Sequence, residues 1–197
     1  MLQDITTPTL REARPCVLET ERLTLRPPVF ADVTAIARLA DDYRIAENTR
    51  RLPHPYSAVD AARFVRALAE NSGETAFLIT HLDAPIGIVG INRPAPGRAE
   101  LGYWLGVDHW GRGFGTEAAR AAIDYFFEES EDDGLLAHAR VSNPASRNIL
   151  EKCGFQWTGV ELHRFEVLGS SAPVDAFRLS RGVWASLKAW ANAGRRR

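Results

Sequence analysis

Three glycines alternate with larger residues in the stretch Trp110-Gly-Arg-Gly-Phe-Gly115, which lies between a strand-like segment and an alanine-rich segment. Glycine lets the backbone take a positive φ and approach a ligand closely. Free N–H groups at such a turn, together with the partial positive charge of a helix N-terminus, bind anions such as a diphosphate. The stretch therefore predicts a phosphate-binding turn, and an ordinary strand–helix connection is the alternative.

The glycine spacing differs from two familiar phosphate-binding motifs. The dinucleotide fingerprint is Gly-x-Gly-x-x-Gly, whereas this stretch has Gly-x-Gly-x-Gly. The P-loop ends in Gly-Lys-Ser/Thr, and this stretch contains no lysine. A second block, Asn143-Pro-Ala-Ser-Arg-Asn-Ile-Leu-Glu-Lys-Cys-Gly-Phe155, follows downstream and narrows the interpretation.

The two blocks, in this order and at this separation, resemble the GNAT superfamily of acetyl-CoA-dependent N-acetyltransferases. The first is similar to the superfamily's pyrophosphate-binding motif, Gln/Arg-x-x-Gly-x-Gly/Ala. The second is similar to its Asn-x-x-Ser/Ala helix with a Glu-Lys-x-Gly-Phe ending. Together with Leu18-Glu-Thr-Glu-Arg-Leu-Thr-Leu-Arg26, they favour the branch of the Rim-type ribosomal-protein N-terminal acetyltransferases, over residues 16–182.

The resemblance implies acetyl transfer from the co-substrate acetyl-CoA to a primary amine, without a metal ion. It places the CoA arm along the strand before the turn, the diphosphate at the turn, and further contacts on the second block. Trp110 stands where the superfamily usually has Gln or Arg, a departure that also occurs in Rim-type sequences. The implied cofactor-binding residues are Leu105, Val107, Arg112, Gly113, Phe114, Gly115, Thr116, Asn143 and Arg147. Local helix capping by Asn143 and solvent exposure of Arg147 are the alternatives.

Glu100 is the candidate general base. Strand alternation places it on one face with Gly102, whose missing side chain would leave a gap for a substrate beside the carboxylate. As an alternative, Glu100 pairs with an arginine such as Arg98 or Arg140 as a structural charge. Direct transfer with little acid–base help is a further option when the amine is already partly neutral.

Ser146 is the candidate acid. It matches the serine of Rim-type sequences, which implies a hydrogen bond to the CoA sulfur as the thiolate leaves. Many GNAT enzymes instead use a tyrosine in this helix, and here that position is Leu150. The alternative for Ser146 is a hydroxyl that only stabilises the helix turn.

The apolar pattern predicts the elements that must position these residues. Their order is one strand, two helices, three strands, then helix, strand, helix, two strands and a C-terminal helix. The prediction is an α/β fold with a mixed, mostly antiparallel central sheet flanked by helices, as the resemblance also implies. The predicted segments are 17–26, 30–42, 57–70, 75–81, 86–92, 98–107, 116–129, 135–141, 144–153, 156–167, 174–180 and a helix around 184–190.

Length, charge and cysteine content narrow the class of protein. The 197 residues suit a single domain over residues 16–193 that follows a flexible arm at residues 1–15. The formal charge of −1 favours neither nucleic acid nor membrane as a partner. Two isolated cysteines fit a reducing, cytoplasmic compartment.

The sequence leaves the acceptor open. A peptide or protein N-terminus is favoured, because the loop 47–60 carries Arg50 and Arg51 rather than the acidic cluster expected for a polycation. A small amine such as an antibiotic or polyamine is the first alternative. A non-catalytic module that binds acyl-CoA is the second, and a homodimer is an open option.

Overall fold

The computed structural model describes residues 16–70, 73–94 and 98–194. The predicted arm, part of the turn at residues 93–97 and the end of the C-terminal tail lie outside these ranges. Eight strands are described: β1 Leu18–Glu19, β2 Thr24–Arg26, β3 Glu74–His81, β4 Ala84–Asn92, β5 Glu100–Leu105, β6 Gly134–Arg140, β7 Gln156–Phe165 and β8 Ser170–Ser180. The α-helices are α1 Val33–Ala40, α2 Tyr43–Ala46, α3 Ala58–Ala69, α4 Phe114–Glu129, α5 Pro144–Lys152 and α6 Arg181–Gly194.

The strands form one sheet in the order β1-β2-β3-β4-β5-β6-β8-β7. Every neighbouring pair is antiparallel except β5 and β6, which are parallel. The predicted mixed, mostly antiparallel sheet is therefore confirmed. No helix in the described ranges is long and apolar enough to cross a membrane.

The predicted first strand at residues 17–26 is wrong in one respect, because it is two short strands, β1 and β2, joined by a turn. The N–H of Leu23 donates to the Thr20 hydroxyl oxygen at 2.9 Å. A carboxylate of α4, Glu117, accepts from the Thr20 hydroxyl at 2.7 Å and from the backbone N–H of Arg22 at 2.8 Å. Since Glu117 lies about 95 residues away in sequence, no local sequence pattern indicates this turn.

The other predicted elements are confirmed, with shifts at their ends. The predicted cap of α3 is present, since the Ser57 side chain accepts from the N–H of Asp60. Helix α4 begins at Phe114, two residues earlier than predicted, because Gly113 serves as its N-cap. The short helix α2 was not predicted, and it begins where the Asp42 carboxylate accepts from the N–H of Arg44 at 2.9 Å.

Helices cover both faces of the sheet. Helices α4, α5 and α6 pack on one face around a large buried cluster that includes Phe77, Phe126 and Phe177. Helices α1 and α3 pack on the other face, around Ile36 and Leu78. Three fully buried alanines of α4, Ala118, Ala119 and Ala122, let that helix lie close to the strands. The two faces are called below the α4 face and the α1 face.

The sheet opens between β5 and β6. These strands pair only at two positions, Glu100 with Leu136 and Leu101 with Ala137. Beyond them the ladder stops, while β5 stays paired with β4 as far as Leu105. The opening between β5 and β6 therefore begins directly beside Glu100.

A buried ion pair near the start of α1 gives a test of stability. Asp32 accepts from both Nη atoms of Arg26 at 2.8 Å and from the N–H of Val29 at 2.8 Å. The Arg26 hydrogen bonds lower the pKa of Asp32, against the opposing effect of burial. A lowered folded-state pKa gives stability that is present above the unfolded pKa, roughly 3.9, and is lost as pH falls through the folded pKa.

We expect Asp32→Asn to lower the free energy of unfolding at pH 7 by about 1.5–3 kcal/mol, the range for hydrogen bonds to charged groups. The difference from wild type should shrink below about pH 4, where the carboxyl begins to protonate in the unfolded chain. Urea denaturation at several pH values measures both effects. Glu151→Gln, which removes an exposed partner of Arg147, is the control and should change stability by less than about 1 kcal/mol.

Candidate active site

A cavity of about 950 Å³ is lined from both faces of the sheet at the opening between β5 and β6. The α4 face contributes the first turn of α4 and Ser146 of α5. The α1 face contributes Arg50, Tyr56 and Phe64. Glu100 and His138 lie on the walls of the opening itself.

The glycine turn lies at one end of this cavity, as the predicted anion site requires. Gly111 and Gly113 have φ values of +71° and +81°, a conformation that favours glycine. Phe114, Gly115 and Thr116 follow in the first turn of α4, where a helix provides no partners for its own N–H groups. Gly113 to Thr116 all line the cavity, so an anion can approach these N–H groups.

Arg22 holds the glycine turn from the side away from the cavity. It donates to the carbonyl of Arg112 at 3.0 Å, and its guanidinium lies 4.7 Å from the centre of the Phe114 ring. A Cβ added to Gly113 would lie 3.2 Å from Nη2 of Arg22. The side chain of Arg112 also lies against Phe114 and is outside the described cavity lining, so only its backbone remains a candidate for cofactor binding.

The predicted strand at residues 98–107, whose end was expected to bind the CoA arm, ends at Leu105 in the structure. The Gly106 N–H donates to Ile86 at 2.9 Å, so ladder alternation turns the peptide groups of Tyr103 and Leu105 toward the opening. The carbonyl of Leu105 is already engaged, since Nε1 of Trp110 donates to it at 2.8 Å. Val107 belongs to a short 3-10 helix rather than to the strand, and the described cavity lining does not include it.

The presence of a tryptophan at position 110 is therefore explained by its contact with β5. Its indole fastens the turn to the end of β5, at the position where the resemblance would place a phosphate-binding side chain. The N–H of Leu105 and both peptide groups of Tyr103 face the opening, so Leu105 keeps one group for the predicted contact with the CoA arm.

Helix α5 presents Ser146 to the cavity. Oδ1 of Asn143 caps the helix by accepting from the N–H of Ser146 at 3.1 Å, which confirms the alternative given for Asn143, while Asn143 also lines the cavity. The Tyr103 hydroxyl lies 3.0 Å from Oγ of Ser146 and 3.1 Å from its carbonyl oxygen. Burial raises the pKa of Tyr103, so the phenol keeps its proton. A tyrosine hydroxyl thus reaches this helix from β5, although position 150 is a leucine.

Arg147 does not lie at the cavity. Its side chain pairs with Glu151 at 3.0 Å and with Asp175 at 3.3 Å, and the described cavity lining does not include it. Nearly half of its side chain is exposed. The structure therefore favours the solvent-exposed alternative for this residue.

Glu100 lies in the opening and is bonded on one oxygen by two donors. Its Oε1 accepts from Arg50 and, at 2.9 Å, from Nδ1 of His138. Glu100 therefore pairs with an arginine, as the alternative expected, but the partner is Arg50 rather than Arg98 or Arg140. Burial alone would raise the pKa of Glu100, but the His138 hydrogen bond and the Arg50 charge outweigh it and lower the pKa to about 2.

His138 connects Glu100 to the edge of the sheet. Its Nε2 lies 3.6 Å from Oε2 of Glu161, and its ring centre is 4.5 Å from that of His163. His138 faces Ala176 on β8, and Ala176 faces Gly159 on β7, so small residues leave room for this group.

The sequence did not predict that Arg50, His138, Glu161 and His163 lie close together. Only strand order and twist bring β6, β7 and the loop after α2 together. His138, Glu161 and His163 also offer donor atoms within 4.8 Å of one another, a spacing that can suit a metal ion. The predicted absence of a metal stays a prediction.

Comparisons with known sequences give a matching family model and, among the similar proteins, a relative that matches over nearly its whole length. A family model described as an acetyltransferase (GNAT) domain matches residues 22–156. An uncharacterized N-acetyltransferase, p20 of Bacillus licheniformis, is 30% identical over 176 residues, which cover 85% of this chain and 98% of the relative.

Solved structures share the fold at lower identity. RimL, named as a ribosomal α-N-protein acetyltransferase and solved with coenzyme A, is 18% identical and has a TM-score of 0.75 over 84% of this chain and 98% of that chain. A spermidine N-acetyltransferase chimera from Vibrio cholerae and hSSAT is 22% identical, with a TM-score of 0.71 over 84% and 99% of the two chains.

Proposed function

This chain belongs to the GNAT acetyltransferase family, and from that premise we propose that it acetylates the α-amino group of a protein or peptide N-terminus. The family membership confirms the superfamily predicted from the glycine turn and the Asn143 block. The observation that carries the proposal is the cavity, which connects the start of α4 with the ionic group around Glu100.

The α4 face suits acetyl-CoA. The open N–H groups at the start of α4 would bind the diphosphate, and the peptide groups of Tyr103 would bind the arm that enters the opening. Coenzyme A is present in the RimL structure that shares this fold. One of the N–H groups facing the opening would also stabilise the oxyanion of the tetrahedral intermediate, worth about 3 kcal/mol.

The α1 face suits the acceptor. An amine that enters from this side reaches the thioester carbonyl beside Glu100, whose negative charge assists removal of a proton from the nitrogen. On the opposite side, the Ser146 hydroxyl would donate to the sulfur as the C–S bond breaks. Tyr103 lies within hydrogen-bond distance of Ser146 and would orient its hydroxyl, while water would replace the proton that Ser146 gives up.

The charges of the cavity wall favour a peptide over a polyamine. Two of the carboxylates on the wall, Glu100 and Glu74, are already paired with arginines, Arg50 and Arg51. The basic residues of the lining are Arg44, Arg50, Arg51, Arg63, Arg140 and Lys152, against the acidic residues Asp60, Glu74, Glu100 and Glu166. A polycation would meet net repulsion there, whereas a peptide with acidic side chains or carbonyl groups would be attracted.

A small amine is the second candidate, because a spermidine N-acetyltransferase chimera shares the fold. An acceptor panel separates the two by release of free CoA thiol. It contains peptides with a free N-terminus, the same peptides blocked by N-terminal acetylation, and spermidine. We expect thiol release with free peptides, loss of that release with blocked peptides, and acetylation of the N-terminus by mass spectrometry. A higher kcat/KM for spermidine than for every peptide would overturn the proposal.

Ser146→Ala tests the acid. We expect kcat to fall about ten-fold, or about 1.4 kcal/mol, while the affinity for acetyl-CoA changes little. The effect is modest because a thiol has a pKa of roughly 8.5 and its thiolate leaves tolerably without a donor. Steady-state kinetics measures the change, and Ser186→Ala, on an exposed turn of α6, is the control. A loss greater than about a thousand-fold would mean that the donor matters more than this reasoning allows.

A further inference from the structure

We propose that Nε2 of His138 accepts the proton from the attacking amine, and that Glu100 is the positioning carboxylate that orients the imidazole. The inference rests on the proposed amine acetylation, but it holds for any amine that the enzyme accepts. It assigns the acid–base role to a residue on β6 that lines the same cavity.

The hydrogen bond between Glu100 and His138 fixes the tautomer of the ring. An ionised carboxylate can only accept hydrogen bonds, so the proton between the two residues lies on Nδ1 of His138. A neutral imidazole with its proton on Nδ1 has its lone pair on Nε2. His138 therefore presents a basic nitrogen, and Glu100 holds that nitrogen in place, as the carboxylate of a catalytic triad does.

Glu100 is itself poorly suited to accept the proton. Its Oε1 accepts from both Arg50 and His138, and these donors lower its pKa to about 2. The ammonium form of a peptide α-amino group has a pKa of roughly 7.7–8.0, so transfer to this carboxylate is strongly uphill. Imidazole is the side chain that ordinarily titrates between pH 5 and 8, much closer to the amine.

Four charged or titratable groups lie around His138. Glu100 faces it from β5, Arg50 from the loop after α2, and Glu161 and His163 from β7. Arg50 is bonded to Glu100 and to Nδ1 of His163, at 3.0 Å in the latter case. Glu161 lies 3.6 Å from Nε2, where a new N–H⁺ would point, so the imidazolium would lie between two carboxylates.

The same group of side chains is less suited to a metal ion. Arginine can only donate, so Nδ1 of His163 accepts from Arg50 and the proton of this imidazole lies on Nε2. That Nε2 then donates to Glu161 at 2.8 Å. A metal would need the lone pair that this proton occupies, and it would lie near the positive charge of Arg50. The arrangement therefore favours proton transfer by His138 over metal binding by the cluster.

The step balances as follows. The amine nitrogen forms a bond to the thioester carbon, the π electron pair of the C=O bond moves to the oxygen, from which it returns to re-form the carbonyl in the next step, and the proton that the nitrogen loses moves to Nε2 of His138. The C–S bond then breaks, and the electron pair leaves with the CoA sulfur, which is protonated from Ser146 or by solvent. The imidazolium returns its proton to water before the next turnover.

His138→Ala with added imidazoles tests the assignment. We expect the variant to lose about 10²-fold in kcat/KM while binding acetyl-CoA as wild type does. Free imidazole should restore activity about ten-fold, and a series of substituted imidazoles should restore it in the order of their basicity. A purely structural histidine would not produce that dependence on basicity. His54→Gln, a half-exposed histidine outside the described cavity lining, is the control and should keep wild-type activity.

Several results would overturn the assignment. They are an absence of rescue, rescue that is independent of basicity, or a His138→Gln variant with wild-type activity. Loss of wild-type activity on chelator treatment with recovery on Zn²⁺ addition would also overturn it, in favour of a metal. If His138→Ala does not fold, His138→Gln takes its place, and its deficit in kcat/KM relative to wild type should shrink as pH rises through the pKa of the same amine. A preference for spermidine would defeat the proposed acceptor, while the imidazole series would still decide the role of His138.

Discussion

Glu100→Gln should lower kcat/KM about 10²-fold at pH 7, within the range for losses of acid–base function, with little change in acetyl-CoA affinity. The substitution keeps the shape of the side chain and removes the charge that assists removal of the amine's proton. The deficit should shrink as pH rises through the pKa of the acceptor, because the free amine then needs no assistance. Rates across about pH 6.5–9.5 measure the trend.

The pH at which the deficit disappears also identifies the type of acceptor. A peptide α-amino group has a pKa of roughly 7.7–8.0, whereas an alkylamine is near 10.4. A deficit that persists to about pH 10 would therefore point to an alkylamine. A ratio of variant to wild-type rate that is flat with pH would leave Glu100 a purely structural carboxylate. Glu128→Gln, an exposed carboxylate of α4 that pairs with Lys188, is the control.

The second large effect is expected from Gly113→Val, which should weaken CoA binding by about 10²-fold and leave the protein folded. Gly113 has a φ of +81°, where a β-branched residue is strained by about 1–3 kcal/mol. Relief of this strain would move the turn, so its N–H groups would lose their alignment; the added Cβ would also lie 3.2 Å from Nη2 of Arg22, a flexible side chain that can shift. Calorimetry with CoA measures the affinity, and circular dichroism checks the fold.

A second glycine offers a matched control. Gly169, in the turn between β7 and β8, also has a positive φ, +61°, and lies outside the described cavity lining. Gly169→Val imposes a similar backbone strain at a distance from the site, so it should lower stability without changing CoA affinity. Unchanged affinity in Gly113→Val, or an equal loss in both variants, would contradict the assignment of the turn.

Local signals in the sequence predicted most of the fold. Apolar periodicity gave the type and order of nearly all strands and helices, because each element buries one face or stripe. The Ser57 cap and the Asn143 cap depend on contacts within three residues, so the sequence displays them directly. The first strand failed because its turn is held by Glu117 from α4.

The residues of the candidate site also divide into those that a local motif could predict and those that it could not. The glycine turn and Ser146 could be found in advance, since each depends on a short stretch of backbone and a recognisable motif. Arg147 and Val107 lie outside the described cavity lining, and their cofactor contacts stay predictions, because a motif does not say which way a side chain faces once the helix packs or the strand ends. Trp110 shows the same limit, because its indole bonds to Leu105 through the local geometry of the turn.

The sequence by itself determined a GNAT acetyltransferase with a glycine turn before α4, because the type and spacing of residues within each motif carry that information. The tertiary structure alone decided what surrounds Glu100. Arg50, His138 and Glu161 come from a loop and two strands far apart in the chain, and β8 lies between those two strands. Their meeting depends on where the parallel ladder of β5 and β6 stops and on how the sheet twists toward its edge. Both are set by long-range packing, which leaves no periodic trace in the sequence.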